Sequence, residues 1–162
     1  MRTVAVCVVS ILFAAPALAQ QAAPAASRTM VSASEVQAMI AKAKADRKDN
    51  QALVAQSLIQ LAPYNVSLEY RASVGGAAVH ETEAELFYVV DGSATLVTGG
   101  KLTEEKRTNA ENLSGTGIQG GQSRKVAKGD FVIVPNGTPH WFSAIDGTVV
   151  LMSLHLPRKP AP

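Results

Sequence analysis

The sequence predicts an all-β protein, an antiparallel sandwich or barrel with one α-helix on its N-terminal side. All twelve glycines lie from Gly75 onward, and segments rich in β-branched and aromatic residues recur among them. Short strands without intervening helices indicate antiparallel pairing, because parallel strands need a long crossover that is usually a helix. The predicted strands cover residues 66–72, 86–90, 94–98, 132–134 and 149–156.

The composition is that of a globular protein with a single domain. Of the 162 residues, 47% are apolar and 17% are charged, and the formal net charge is +2. A chain of this length can bury one sizeable core, so a two-domain enzyme is not expected. The near balance of charge excludes the basic surface of a nucleic-acid-binding protein. We therefore expect a small-molecule ligand or substrate and no nucleic-acid partner.

Residues 1–19 have the pattern of a secretory signal peptide. Arg2 gives a positive start, residues 4–12 form an apolar run, and Ala17 and Ala19 are the small residues of a cleavage site. We expect cleavage after Ala19 and a periplasmic or secreted protein. The only cysteine, Cys7, would be removed, so no disulfide and no thiolate ligand are expected. Neither this run nor any later one reaches the roughly 20 apolar residues of a membrane span.

One helix is predicted before the strands. Residues 20–30 lack apolar periodicity and predict a disordered linker, whereas residues 31–65 are expected to form an N-terminal helical segment. Ser32 and Glu35 have the spacing of a capping box, which places a helix from residue 33 to about 47. An apolar stripe for packing on the barrel or on a second subunit follows, formed by Val36, Met39, Ile40 and Ala43. Residues 52–61 fit either a second short helix or the start of a strand.

Two segments contain the residues with metal-binding chemistry. Residues 78–92 contain His80, then Glu85 five positions later, then a turn glycine at Gly92. Residues 129–142 run from a turn glycine through a short strand to His140. The first segment reads His-x4-Glu-x6-Gly, and the second reads Gly-x5-Pro-x-Gly-x2-His.

These two patterns resemble the two motifs of the cupin superfamily, and the chain is similar to small, single-domain cupins of type 2. The resemblance covers residues 66–156, with a tail at 157–162, and implies a jelly-roll β-barrel that holds a metal ion. It implies that His80, Glu85 and His140 are the metal ligands. The first histidine of the family falls on Ala78, which cannot bind a metal, so His155 is a candidate for an additional ligand. Glu81 and Glu83 lie outside the matched positions and are expected to be exposed charges.

The chemistry of these ligands limits the ion and the pocket. Imidazole and carboxylate without thiolate leave Fe, Mn, Ni, Cu and Zn as candidates for the divalent metal ion. Ligands on one face of an ion leave positions open, as in the non-haem Fe(II) oxygenases. Three aromatic side chains near the motif strands are pocket candidates, namely Tyr70, Phe87 and Phe142. Alternation along the strand places Phe142 on the same face as His140.

Two classes of function follow from these observations. One is a metal-dependent enzyme, with an oxygenase of small organic molecules as the preferred form. The other is a non-catalytic module that binds a small molecule or a metal in a degenerate site, which the alanine at position 78 would also suit. The resemblance also implies a homodimer paired through sheet edges, which would cover exposed edge strands. Residues 99–125 are interpreted as a long polar excursion that forms a lid or an edge hairpin.

Overall fold

The computed structural model describes residues 27–157, and within them one helix and eleven strands form. The predicted signal peptide, its cleavage site and residues 20–26 and 158–162 lie outside this range. No helix within residues 27–157 is long and apolar enough to cross a membrane. The elements are α1 (Ala33–Asp46), β1 (Leu53–Leu61), β2 (Tyr64–Arg71), β3 (Ala77–His80), β4 (Glu83–Thr98), β5 (Lys101–Thr103), β6 (Lys106–Arg107), β7 (Asn112–Gly115), β8 (Gly117–Gln119), β9 (Gln122–Ala127), β10 (Phe131–Val134) and β11 (His140–Pro157).

Nine of these strands form one antiparallel sheet that folds into the predicted jelly-roll. The order β1-β2-β11-β3-β7-β6 makes one path through the sheet, while β4 pairs with β9, β10 and β11. Strands β5 and β8 form a separate two-stranded sheet. Strands β4 and β11 are the longest, with 16 and 18 residues, and they pair with each other along most of their lengths. This pair is therefore the framework on which the other strands are placed.

Alternation along the strands separates two apolar cores. The barrel interior contains a cluster formed by Phe87, Val89, Ala94, Leu96, Val126, Val134, Phe142, Val149 and Leu151. A second cluster lies between the sheet and α1, formed by Val36, Ala43, Leu58, Leu68, Tyr70 and Val150. Adjacent residues such as Val150 and Leu151 belong to different clusters because successive side chains point to opposite faces of a strand.

Helix α1 confirms the prediction made from its capping box and its stripe. The Ser32 side chain accepts a hydrogen bond from the Glu35 amide, and the Glu35 carboxylate accepts one from the Ser32 amide. Val36 and Ala43 are buried, and Met39 and Ile40 pack against the same cluster. The stripe therefore packs on the sheet of its own chain, chiefly on β1 and β2.

Two N-terminal segments differ from the sequence-based expectation. Residues 53–61 form strand β1 rather than a helix, so the segment 31–65 contains one helix and the sheet begins well before residue 66. Pairing with β2 along the whole of β1 decides this ambiguous stretch, since tertiary contacts outweigh weak local propensity. Within the predicted linker, Arg28 forms an isolated bridge with Gln60 and an ion pair with Glu35. Order therefore begins before residue 31.

Residues 99–125 form short antiparallel strands, and the pairing of β6 with β7 at the end of the sheet agrees with the predicted edge hairpin rather than with a lid. Strands β5 to β8 and most of β9 lie in this segment, and each has six residues or fewer. Polar residues dominate these strands, which removes the alternation that would have revealed them from sequence. Strand β7 pairs with β3, so this segment lies beside the strand that ends at His80.

Candidate metal centre

The candidate ligands lie on three strands that meet in the barrel. His80 ends β3, Glu85 lies in β4, and His140 and His155 lie near opposite ends of β11. His155 pairs in register with Glu85, whereas His140 pairs with Thr98, 13 residues beyond Glu85 on the same strand. An extended strand of 13 residues would span about 43 Å. Because His140 nevertheless contacts Glu85, the β4–β11 pair must fold back on itself.

The fold-back is located by Gly92 and by a break in register. Pairing between the two strands continues, with one smaller register shift after Phe142, up to Ile145 and resumes at Val149, which pairs with Gly92. Gly92 has a φ of 77°, which side chains disfavour, and a Cβ at this position would overlap the carbonyl oxygen of Thr148. The motif glycine at position 92 is thus required by the corner that brings the two halves of the site together.

Three imidazoles converge on the Glu85 carboxylate. The Nε2 atoms of His80 and His140 lie 3.3 Å and 3.0 Å from Glu85 Oε2, and His155 Nε2 lies 3.5 Å from Glu85 Oε1. The hydroxyl of Ser153 donates a hydrogen bond to Glu85 Oε1. Glu85 and His140 are buried, while the side chains of His80 and His155 are 20% and 27% exposed. The cluster is therefore accessible from the side of His80 and His155.

A hydrogen-bond acceptor holds the other ring nitrogen of each histidine. The Nδ1 of His80 lies 2.6 Å from Asn112 Oδ1, that of His140 lies 3.2 Å from the Thr138 carbonyl oxygen, and that of His155 lies 3.0 Å from Glu83 Oε2. Carbonyl and carboxylate oxygens can only accept, so Nδ1 carries a proton in each ring.

The amide of Asn112 is itself oriented by the protein. Its Nδ2 donates to Asn109 Oδ1 at 3.0 Å, which turns Oδ1 toward His80. With Nδ1 carrying the proton, the Nε2 lone pair of a neutral imidazole points into the cluster. A hydrogen bond at the distal nitrogen is the usual support of a histidine that binds a metal. The geometry therefore fits a cation beside Glu85.

The charge of the cluster shifts the pKa values of two groups. Burial alone opposes the charge of Glu85, but hydrogen bonds with His140 and His80 outweigh it and hold the Glu85 pKa far below its ordinary value of 4.5. The hydrogen bond with Glu85 raises the pKa of His80 above 6.5, against the opposing effect of desolvation and with help from Asn112. Without an ion, a proton on His80 thus serves as the positive partner of Glu85.

These shifts predict opposite pH dependences with and without metal. Because the His80 pKa is raised in the folded state, protonated His80 contributes stability that is complete below about pH 6.5 and is lost as the pH rises through the raised pKa. Protein freed of metal by a chelator should therefore have a lower melting temperature at high pH than near pH 6. A metal ion must displace the Nε2 proton of His80, so the rise in melting temperature caused by added Zn²⁺ should grow with pH. Thermal scans from about pH 5 to 8, with chelator and with Zn²⁺, measure both. A melting temperature of the chelated protein that is constant with pH contradicts the first expectation.

One ligand atom from each of His80, Glu85 and His155 lies within 4.8 Å of the others, as the donor atoms of a single ion must. His140 contacts the same carboxylate, and its ring centroid lies 5.2 Å from that of His80. All three residues expected from the motifs thus lie around the Glu85 carboxylate, but the donor atoms within 4.8 Å of one another include that of His155 and not that of His140. Ala78 pairs in register with His140, so the position where the family has its first histidine lies beside the site. The methyl group of Ala78 cannot bind an ion.

The aromatic candidates occupy two different places. The Phe87 ring lies 6.0 Å from the His140 ring and 5.4 Å from the Phe142 ring, measured between centroids. Tyr70, in contrast, packs beneath α1 in the second cluster, so its assignment to a pocket with the histidines is corrected. Strand β2 presents Leu68 and Tyr70 to the helix, and its other face to the barrel interior.

Sequence reasoning missed two residues that support the ligands. Glu83, expected to be an exposed charge, contacts His155, and Asn112, in the supposed excursion, contacts His80. Alternation could have placed Glu83 on the same face as Glu85, whereas no local signal marked Asn112. Glu81 matches the expectation, because its carboxylate forms an exposed ion pair with Arg107.

The chain belongs to the cupin family. The family model described as Cupin matches residues 47–157, which include β1 and so begin before residue 66, where the motif resemblance starts. A search of curated protein sequences found no match. The jelly-roll, the two motifs and the family match thus agree.

Solved structures with the same fold have low sequence identity to this chain. BH2720 from Bacillus halodurans is 14% identical with a TM-score of 0.52, covering 83% of this chain and 85% of that one. KdgF from Halomonas sp. is 15% identical with a TM-score of 0.50, covering 70% and 86%. FeII HppE is 15% identical with a TM-score of 0.51, covering 65% and 52%. At these identities the likeness shows a shared fold only.

Proposed function

We propose that the protein is an exported cupin that binds a divalent metal ion with His80, Glu85, His140 and His155. The observation that carries this proposal is the common orientation of the three imidazoles. Each ring directs Nε2 at one carboxylate while an acceptor holds its Nδ1. An ion placed at the Nε2 lone pairs and the Glu85 carboxylate would serve as the common partner of these side chains.

The activity that suits this site best is that of a metal-dependent oxygenase acting on a small organic molecule. A redox-active divalent ion would supply the activation of O₂. The protein's own residues bind the ion, hold the imidazoles in one orientation and place the apolar rings of Phe87 and Phe142 on the side of His140. Iron is the first ion to test, because HppE is described in its FeII form, and Mn, Ni, Cu and Zn complete the series.

The test of this activity is oxygen uptake by the metal-loaded protein. We expect Fe(II)-loaded protein to consume O₂ with at least one member of a panel of catechols, hydroxy acids and thiols. The Glu85→Gln variant should not, since it lacks the carboxylate on which the imidazoles converge. If no ion supports uptake but a panel member raises the melting temperature, the oxygenase assignment falls and the protein is a binding module.

Export is proposed from the first nineteen residues alone. Their positive start, apolar run and small residues at positions 17 and 19 are typical of a cleaved signal peptide. Protein expressed from the full sequence and recovered from the periplasm or medium should have an intact mass that begins at Gln20. A mass that retains residues 1–19 would rule out this cleavage.

A further inference from the structure

The three histidines of the candidate site differ in what holds their Nδ1 atoms. Neutral oxygens hold two of them, the Asn112 amide for His80 and the Thr138 carbonyl for His140. His155 alone is held by a carboxylate, with its Nδ1 lying 3.0 Å from Glu83 Oε2. Both partners are partly exposed, at 27% for the His155 side chain and 32% for the Glu83 side chain.

We infer that Glu83 is a positioning residue that fixes His155 as a ligand of the ion and supplies the second negative charge of the site. The inference rests on the proposed metal site and adds a role that neither cupin motif contains. In the register of β4 and β11, His155 pairs with Glu85 and Pro157 pairs with Glu83. Glu83 and Glu85 lie two residues apart and therefore project to the same face, on either side of His155.

The charges near the site support this role. Among residues 27–157, no lysine or arginine forms an ion pair with Glu83 or Glu85, and the ionic contacts of both carboxylates are with histidines. The nearest comparable carboxylate in sequence, Glu81, is paired with Arg107 instead. Two carboxylates without a fixed cation match the charge of one divalent ion, so that the loaded site would be neutral.

This arrangement also accounts for a site without the first motif histidine. Ala78 leaves one nitrogen fewer on β3, and His155 supplies one from the far end of β11. A histidine at 27% exposure has freedom to turn away, and a charged acceptor at Nδ1 restrains the ring and strengthens its Nε2 as a donor to metal. His155, held in place by Glu83, thus supplies the ligand nitrogen that Ala78 cannot.

The test is a double-mutant cycle on metal affinity in the full mature chain. Dissociation constants for Zn²⁺ and Co²⁺ are measured by chelator competition for wild type, Glu83→Ala, Glu83→Gln, His155→Ala and the Glu83→Gln/His155→Ala double variant. Glu81→Gln is the matched control, because it removes a nearby carboxylate that contacts Arg107 rather than a histidine. The Co²⁺ absorption spectrum reports the ligand set independently of affinity.

We expect Glu83→Ala to weaken binding by about 10- to 100-fold, as is usual for the outer partner of a metal-bound histidine. Glu83→Gln should lose less metal affinity, because its amide oxygen still accepts a hydrogen bond from His155 Nδ1. The dissociation constant of Glu81→Gln should stay within about twofold of that of wild type. In the His155→Ala background, Glu83→Gln should weaken binding by a smaller factor than in wild type, since the ring that it positions is gone and only its charge is lost. Glu83→Ala and His155→Ala should change the Co²⁺ spectrum alike.

Three outcomes overturn the inference. If Glu83→Ala binds Zn²⁺ like wild type, Glu83 positions nothing, although the metal site itself still stands. If Glu83→Gln weakens metal binding by the same factor with and without His155, the carboxylate acts through its charge alone and not through this ring. If wild type binds neither ion, the proposed function fails together with the inference.

Discussion

The His140→Ala variant should lose most of its bound metal while its barrel remains folded. His140 Nε2 lies 3.0 Å from Glu85 Oε2, and its removal takes away one of the nitrogens around that carboxylate. Loss of an outer partner alone weakens metal binding by up to about 100-fold, so loss of a ligand should exceed that. The barrel interior is built mainly from apolar side chains of β4 and β11, so the fold should persist.

Elemental analysis of purified protein measures this loss, and circular dichroism checks the fold. Trp141→Phe is the matched control, because Trp141 is next in sequence on the opposite face and donates to the Gly75 carbonyl oxygen, away from the cluster. The Trp141→Phe variant should retain the same metal content as wild type. Equal and substoichiometric metal in wild type and His140→Ala would mean that the site is vestigial, and the oxygenase proposal would then be abandoned.

The Gly92→Ala variant should lose about 4 kcal/mol or more of unfolding free energy, at the upper end of the effects of single substitutions. The new methyl group would overlap the Thr148 carbonyl oxygen, which belongs to the backbone and cannot rotate away. The φ of 77° adds a strain of about 1–2 kcal/mol. Because this corner brings His140 to Glu85, metal affinity should fall as well.

The Gly129→Ala variant is the control that distinguishes the steric overlap at position 92 from the backbone strain of a positive φ. Gly129 also has a positive φ, 94°, but a Cβ there would meet nothing within 4 Å. Its cost should therefore be limited to about 1–2 kcal/mol of backbone strain. Urea unfolding of the two variants measures the difference. Equal losses would show that the corner at Gly92 is not tightly packed.

The fold could be predicted from sequence where a local pattern coincides with burial. The Ser32–Glu35 capping box and the apolar stripe after it determine α1, and the strands 66–72 and 149–156 are rich in residues that favour β structure. Strands β5 to β8 could not be predicted one by one, because they are short and polar and lack the apolar alternation that marks a half-buried strand. Strand β1 is ambiguous for a different reason, because its sequence LVAQSLIQL fits a helix or a strand and only its pairing with β2 decides between them.

The candidate site was predictable only as far as the two motifs extend. His80, Glu85 and His140 could be recognised from their spacing, whereas His155 lies in an almost continuous apolar run whose facing is set by the register with Glu85. Tyr70 was misplaced because no local signal indicates which face of β2 meets α1. Glu83 and Asn112 act through histidines that are 72 and 32 residues away in sequence, and local patterns carry no information about such contacts.

The position of β11 in the chain determines when the candidate metal centre can assemble. β11 provides both His140 and His155, and it is the last strand of the part of the chain that the structure describes. A growing polypeptide that ends at Pro139 contains Glu85 but neither His140 nor His155, and the two missing contacts of Glu85 span 55 and 70 residues. Pairings over such distances form late in folding, because loop closure must precede them. Metal uptake should therefore follow barrel closure, and a bound ion would slow the departure of β11 rather than guide the first steps of folding.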